Sequence, residues 1–98
     1  MPAVCRIGDE LDTGHICDAT TTIDTSATSG KVKANGIPII VVGAMTVDHG
    51  VPPVCAPHAV PLLAGSGTVS IEGIPVGRVG DPIDDGAMTT GSPNVNAG

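Results

Sequence analysis

Three histidines, His15, His49 and His58, and three cysteines, Cys5, Cys17 and Cys55, hold most of the side-chain chemistry open to this chain. Imidazole nitrogen and thiolate sulfur are the common ligands of Zn²⁺, and an odd number of cysteines leaves one thiol outside any closed set of disulfides, so a metal site is the first reading. Covalent catalysis is a second. Cys55 with His58, or Cys17 with His15, could pair a nucleophile with a base, but such a pair needs an orienting third group and a substrate cleft, for which a small domain has little room. A zinc hydrolase would need an open coordination position and a general base, and Asp48 beside His49 or the Asp84-Asp85 pair could supply it. The plainest alternative is that the histidines are simply solvated on loops. Cys5 lies in an apolar stretch and reads as a small buried residue rather than a ligand.

The elements that must position these residues are short. The chain has 98 residues and no Phe, Tyr or Trp, and its 14 Gly and 9 Pro exceed a fifth of the total, which argues against long helices. One domain over residues 1–98 is the natural reading. A core built from Ala, Val and Ile has little apolar area to bury, so a metal or a large partner surface is expected to supply part of its stability. Ten acidic against four basic residues give a net charge of −6, the wrong sign for neutralising phosphates, so no nucleic-acid partner is expected. The mean hydropathy of +0.31 argues against disorder. No apolar run approaches the roughly 18 residues of a membrane span, and no signal peptide is evident at the N-terminus.

Short strands bounded by turn signals are predicted over 31–34, 37–42, 68–71 and 74–79, with hairpin turns at Asn35-Gly36 and Glu72-Gly73. Residues 17–29 lack a helical apolar face and read as loop or edge strand. The two hairpins expose a repeat. Ser29 to Pro38 aligns with Ser66 to Pro75 without a gap, each continuing to a glycine, Gly43 or Gly80. Ala3 to Asp9 supplies a third copy of the second half, and Gly91 to Val95 matches Gly65 to Val69, so three units close if the C-terminus returns beside the N-terminus. The expected fold is all-β, a small pseudo-threefold body. Between the halves lie three excursions, after Gly8, Gly43 and Gly80, which should leave the body on the same side. Every histidine falls in one of them, and the third carries Asp84 and Asp85 instead.

The opening Pro2-Ala3-Val4-Cys5-Arg6-Ile7-Gly8-Asp9, the Gly73-Ile74-Pro75-Val76-Gly77-Arg78-Val79-Gly80-Asp81 segment and Gly91-Ser92-Pro93-Asn94-Val95 resemble the PAAR-repeat proteins, and the likeness spans nearly the whole chain. It implies a conical domain that caps the trimeric β-helical spike of a contractile phage tail or of the related type VI secretion machine. The small size resembles a stand-alone phage spike tip. The middle unit departs from the pattern. Val41 and Ala44 stand where the other units carry Arg6 and Asp9, or Arg78 and Asp81, whose pairing has a modest structural value.

The resemblance further implies a structural zinc near the apex, held by three His and one Cys. His15, His49 and His58 are the expected ligands, with Cys55 fourth because Cys55-Ala56-Pro57-His58 lets one turn offer two side chains to one ion. Cys17 is the rival, and Asp85, placed by alignment where the family carries its Cys, is a third choice that would admit iron. The implied role is a structural, membrane-piercing tip without enzymatic turnover. Its partners would be one spike trimer per copy and, transiently, the target cell envelope. The implied location is the virion tail tip, or alternatively export through a type VI apparatus. The base is expected from the apolar runs 37–42 and 74–79. A small zinc-binding protein-interaction module is the alternative.

Overall fold

The computed structural model describes residues 2–14, 17, 19–51 and 56–98, the side chains of Val51 and Ala56 excepted. Among them the regular structure is all strand: β1 (Glu10–Asp12), β2 (Thr20–Thr22), β3 (Lys33–Ala34), β4 (Ile37–Pro38), β5 (His49–Val51), β6 (Ala56–His58), β7 (Ser70–Ile71), β8 (Ile74–Pro75), β9 (Pro82–Ile83) and β10 (Gly86–Met88). Among the described residues no helix is long and apolar enough to cross a membrane.

These short strands are organised by rotation. Residues 4–6, 39–41 and 76–78 surround one axis and pair in a cycle: Arg6 with Ile39, Val41 with Val76, and Arg78 with Val4. At the centre the Cys5 amide donates to the Gly77 carbonyl (2.8 Å), Gly77 to Ile40 (2.9 Å) and Ile40 back to Cys5 (3.0 Å). A second cycle runs the opposite way, from Ile7 to Pro38 (3.1 Å), Val42 to Pro75 (2.9 Å) and Val79 to Ala3 (2.9 Å). The three repeats are therefore related by a pseudo-threefold axis within one chain. The middle amide and carbonyl of each central segment find their partners in another repeat, while the Val4, Ile39 and Val76 amides bond within their own repeat to the Val95, Val32 and Val69 carbonyls.

Two of the repeats enter the ring through a hairpin, as the turn signals predict. β3 and β4 pair across Asn35-Gly36, with φ of 56° and 79°, and β7 and β8 across Glu72-Gly73, with φ of 53° and 80°. Both central residues lie in the left-handed region, the geometry of a two-residue turn matched to strand twist. The third repeat is assembled from both ends of the chain: Ala3 pairs with Asn96, and the Ala97 amide donates to the Pro2 carbonyl (2.9 Å). The expected return of the C-terminus beside the N-terminus is thus present. One alignment shifts. The serine whose hydroxyl caps the approach to each repeat is Ser66, Ser92 and, in the middle unit, Ser26 rather than Ser29. The additional residues there are taken up at Ala27, with φ of 63°.

After the ring each chain segment turns at Gly8, Gly43 or Gly80, all with φ near 90°. The same backbone bond closes every turn at 3.0 Å, Asp9 to Arg6, Ala44 to Val41 and Asp81 to Arg78. In two of the three, the carboxylate adds a clamp. Asp9 Oδ2 accepts from the Arg6 backbone N–H (2.7 Å) and Nε (3.0 Å), and Asp81 does the same for Arg78 (2.7 and 3.1 Å). The middle unit keeps the turn without the ions because Val41 and Ala44 are buried and apolar.

The excursions leave on one side, as expected, and form a closed ring of three hairpins. β1 pairs with β2, Met45 with Pro61, and β9 with β10. Between hairpins, Ile23 pairs with Thr46, Leu62 with Ile83 and Met88 with Leu11. The interior holds Leu11, Ile23, Leu62, Ile83 and Met88 above Cys5, Ile40 and Ala44. A second cluster below the ring holds Val4, Ala34, Ile39, Val41, Ile71, Val76 and Ala97. The body is elongated, 38 × 24 × 21 Å. The apolar runs expected to face outward at the base differ from expectation, since Ile39, Ile40, Val41 and Val76 are buried. A chain without aromatic residues places those side chains at its own centre; the exposed large apolar residues among those described are Val32, Val47, Leu63 and Val69, of which Val32 and Val69 are related by the repeat.

Close approach between hairpins depends on glycine. A Cβ at Gly86 would lie 1.9 Å from the Asp12 carbonyl oxygen, whereas at Gly67 it would meet nothing within 4 Å. Backbone cannot yield as a side chain can, so Gly86→Ala is expected to cost about 2 kcal/mol or more in urea unfolding, and Gly67→Ala less than about 1 kcal/mol. Equal costs would contradict the closed hairpin ring.

Candidate metal centre

The second hairpin continues beyond Met45 and Pro61 into β5 and β6, where His49 and His58 are direct cross-strand partners. Opposed side chains on one face of a strand pair lie close, and the imidazoles meet edge to face with centroids 4.3 Å apart at 76°. The third hairpin ends in the two-residue turn Asp84-Asp85, and Asp84, with φ of 54°, carries its carboxylate toward them. His58 Nε2 lies 2.8 Å from His49 Nε2, and Asp84 Oδ2 lies 2.7 Å from His49 Nε2 and 3.2 Å from His58 Nε2. The His49 and Asp84 side chains are almost wholly buried, and His58 is about one-third exposed.

This donor set fits a metal ion. Bonds of about 2.0–2.1 Å from Zn²⁺ to nitrogen or oxygen put neighbouring ligand atoms about 3 Å apart, the spacing found here. Three atoms rich in lone pairs crowd this closely only with protons or a cation among them. His49 is also oriented for coordination. Its Nδ1 lies 2.9 Å from the Val47 carbonyl, which can only accept, so Nδ1 carries the proton and Nε2 presents its lone pair to the site.

The turn bearing Asp84 is braced from the first hairpin. The Asp85 amide donates to the Thr13 carbonyl (3.1 Å), and Gly14, at φ 77°, approaches so closely that a Cβ there would lie 2.4 Å from the Asp85 carbonyl oxygen. All three hairpins therefore converge at this end of the molecule.

Of the expected ligands, His49 and His58 are brought together, while His15 and Cys55 lie outside the described residues. The aspartate at the centre is Asp84, not the aligned Asp85, because a two-residue turn sends its first side chain inward and commits the next residue to backbone contacts with Thr13 and Gly14. The Asp84-Asp85-Gly86 string was the available signal, but alignment to a single family position picked the wrong carboxylate. Cys17, the rival thiolate, is disulfide-bonded. Cys5 is free and fully buried in the body, where burial, reinforced by the Asp9 and Asp81 carboxylates, pushes its thiol up to about 12. It is a core residue, as its apolar surroundings in the sequence suggest.

No family model matches the chain, and a search of curated proteins finds no match.

Removing any one ligand should open the centre. His49→Ala, His58→Ala and Asp84→Ala are each expected to lower affinity for added Zn²⁺ at least tenfold in a chelator competition, and chelator should lower the thermal midpoint of the parent protein but not of the variants. Parent-like zinc affinity in all three variants would exclude this centre.

Proposed function

We propose that this protein is the tip of a trimeric β-helical spike in a contractile injection machine, as its resemblance to PAAR-repeat proteins implies. The carrying observation is the pseudo-threefold ring of hydrogen bonds around Cys5, Ile40 and Gly77, which gives one chain the rotational symmetry of a trimer. A blunt trimeric β-helix ends in three equivalent open edges, and a single cap can satisfy all three only if it repeats its own surface at 120°. Val32 and Val69 are exposed at equivalent positions, with Ile37, Ile74 and Val95 half-buried on the same side of the ring as the hairpin turns. They would form the apolar base of the joint.

The opposite end is the point. There the hairpins converge on the His49, His58 and Asp84 cluster, and we assign to it a structural zinc, with His15 completing the set. Gly14, the residue before His15, already packs against the Asp84-Asp85 turn. When bound, the ion supplies a cross-link between loops, worth on the order of 10 kcal/mol in small zinc domains. The nitrogen and oxygen donors also admit iron. Axial load from a contracting sheath would pass through the base and ring into this pinned apex, which breaches the target envelope without chemical turnover. This role places the chain at the virion tail tip.

A spike fragment ending in an open trimeric β-helix tests the assignment. Native mass spectrometry is expected to find one copy per trimer, and the paired changes Val32→Asp and Val69→Asp should abolish binding while leaving the thermal midpoint within a few degrees. Three copies per trimer, or none, would refute the cap.

A further inference from the structure

One residue breaks the pattern of the hairpin ring. Leu11, Thr46 and Ile83 occupy equivalent places, each the outgoing limb facing the return limb of the preceding hairpin at Met88, Ile23 and Leu62. Two of the three are fully buried aliphatic side chains, and the third, equally enclosed, is a threonine. A hydroxyl in an apolar layer costs stability unless it is hydrogen-bonded, so its partners show what it does there.

Thr46 Oγ1 accepts from the Val60 amide (3.1 Å) and lies 3.4 Å from His49 Nδ1. The Thr46 amide in turn donates to the Val60 carbonyl (3.0 Å), so the residue ties the two limbs of the second hairpin together immediately behind the imidazole. Because Nδ1 already donates to the Val47 carbonyl at 2.9 Å, the hydroxyl oxygen receives the weaker arm of the same N–H. Both acceptors face one edge of the ring and leave the opposite edge, Nε2, aimed at His58 and Asp84.

We propose that Thr46 is a positioning residue for the metal centre, holding His49 in the tautomer and orientation that present Nε2 to the ion. The inference rests on the metal reading of the His49, His58 and Asp84 cluster. It accounts for a polar side chain at the one hairpin whose limbs both carry a histidine, where the other two hairpins use Leu11 and Ile83.

The test compares the full chain with Thr46→Val, which keeps the shape and removes the hydroxyl, and Thr46→Ser, which keeps the hydroxyl and loses a methyl. Zn²⁺ affinity is read by chelator competition. The expected result is a 10- to 100-fold weakening for Thr46→Val, the usual effect of losing such a supporting group, and recovery to within about threefold of the parent for Thr46→Ser. Parent-like affinity in Thr46→Val, or an equal loss in both variants, would overturn the positioning role. Failure of the parent itself to bind Zn²⁺ would instead bring down the metal reading. Should Thr46→Val not fold, nitrogen-15 spectra of the zinc-loaded parent decide: a His49 Nδ1 proton protected from solvent and close to the Thr46 methyl supports the proposal, and a freely exchanging one contradicts it.

Discussion

Three backbone hydrogen bonds, passed in a circle from Cys5 to Gly77, from Gly77 to Ile40 and from Ile40 to Cys5, are the constraint on which the rest of this molecule depends. Regular sheet is scarce among the described residues, and many strands are only two residues long. Without the cycle, the Cys5, Ile40 and Gly77 peptide groups would be buried and unpaired, at a cost that a core lacking aromatic side chains could not offset. With it, each repeat supplies what the next requires. The cycle also fixes geometry: turns at Gly8, Gly43 and Gly80 all leave the ring in the same sense, so three hairpins rise together and meet at one end.

Side-chain chemistry is layered on that frame rather than creating it. Arg6 and Arg78 are held by Asp9 and Asp81, whose hydrogen bonds raise the guanidinium basicity still further. Yet the middle unit makes the same turn with Val41 and Ala44 alone. The glycine at positive φ and the 3.0 Å backbone bond are common to all three units, and the ion pairs are not. Two repeats therefore spend charge where the third spends apolar contact.

Much of the fold was legible because repetition amplifies weak signals. Asn35-Gly36 and Glu72-Gly73 are individually modest turn markers, but at matched positions before Ile-Pro they define a unit, and the unit locates Ala3 to Asp9 and Gly91 to Val95 as the split third copy. Two features were not legible. The three-residue shift between Ser26 and Ser29 depends on Ala27 entering the left-handed region, which its side chain does not advertise. The burial of Ile39, Ile40 and Val41 depends on three runs converging on one axis, a tertiary fact that no single run contains.

The site was legible in part. His49 and His58 declared themselves by residue type and by falling on one excursion, and the hairpin then made them cross-strand partners. Choosing Asp84 over Asp85 required the turn geometry, and Thr46 carried no signal until its equivalence to Leu11 and Ile83 was visible. Both depend on the ring beneath them, which orders the hairpins that present these groups. Amide hydrogen exchange at Cys5, Ile40 and Gly77 measures that dependence most directly. The three amides should be among the slowest to exchange, with protection agreeing within about tenfold because they open only when the whole ring opens. Exchange of any one of them more than about a thousandfold faster than the other two would show that the cycle is not a single cooperative unit and would contradict the account.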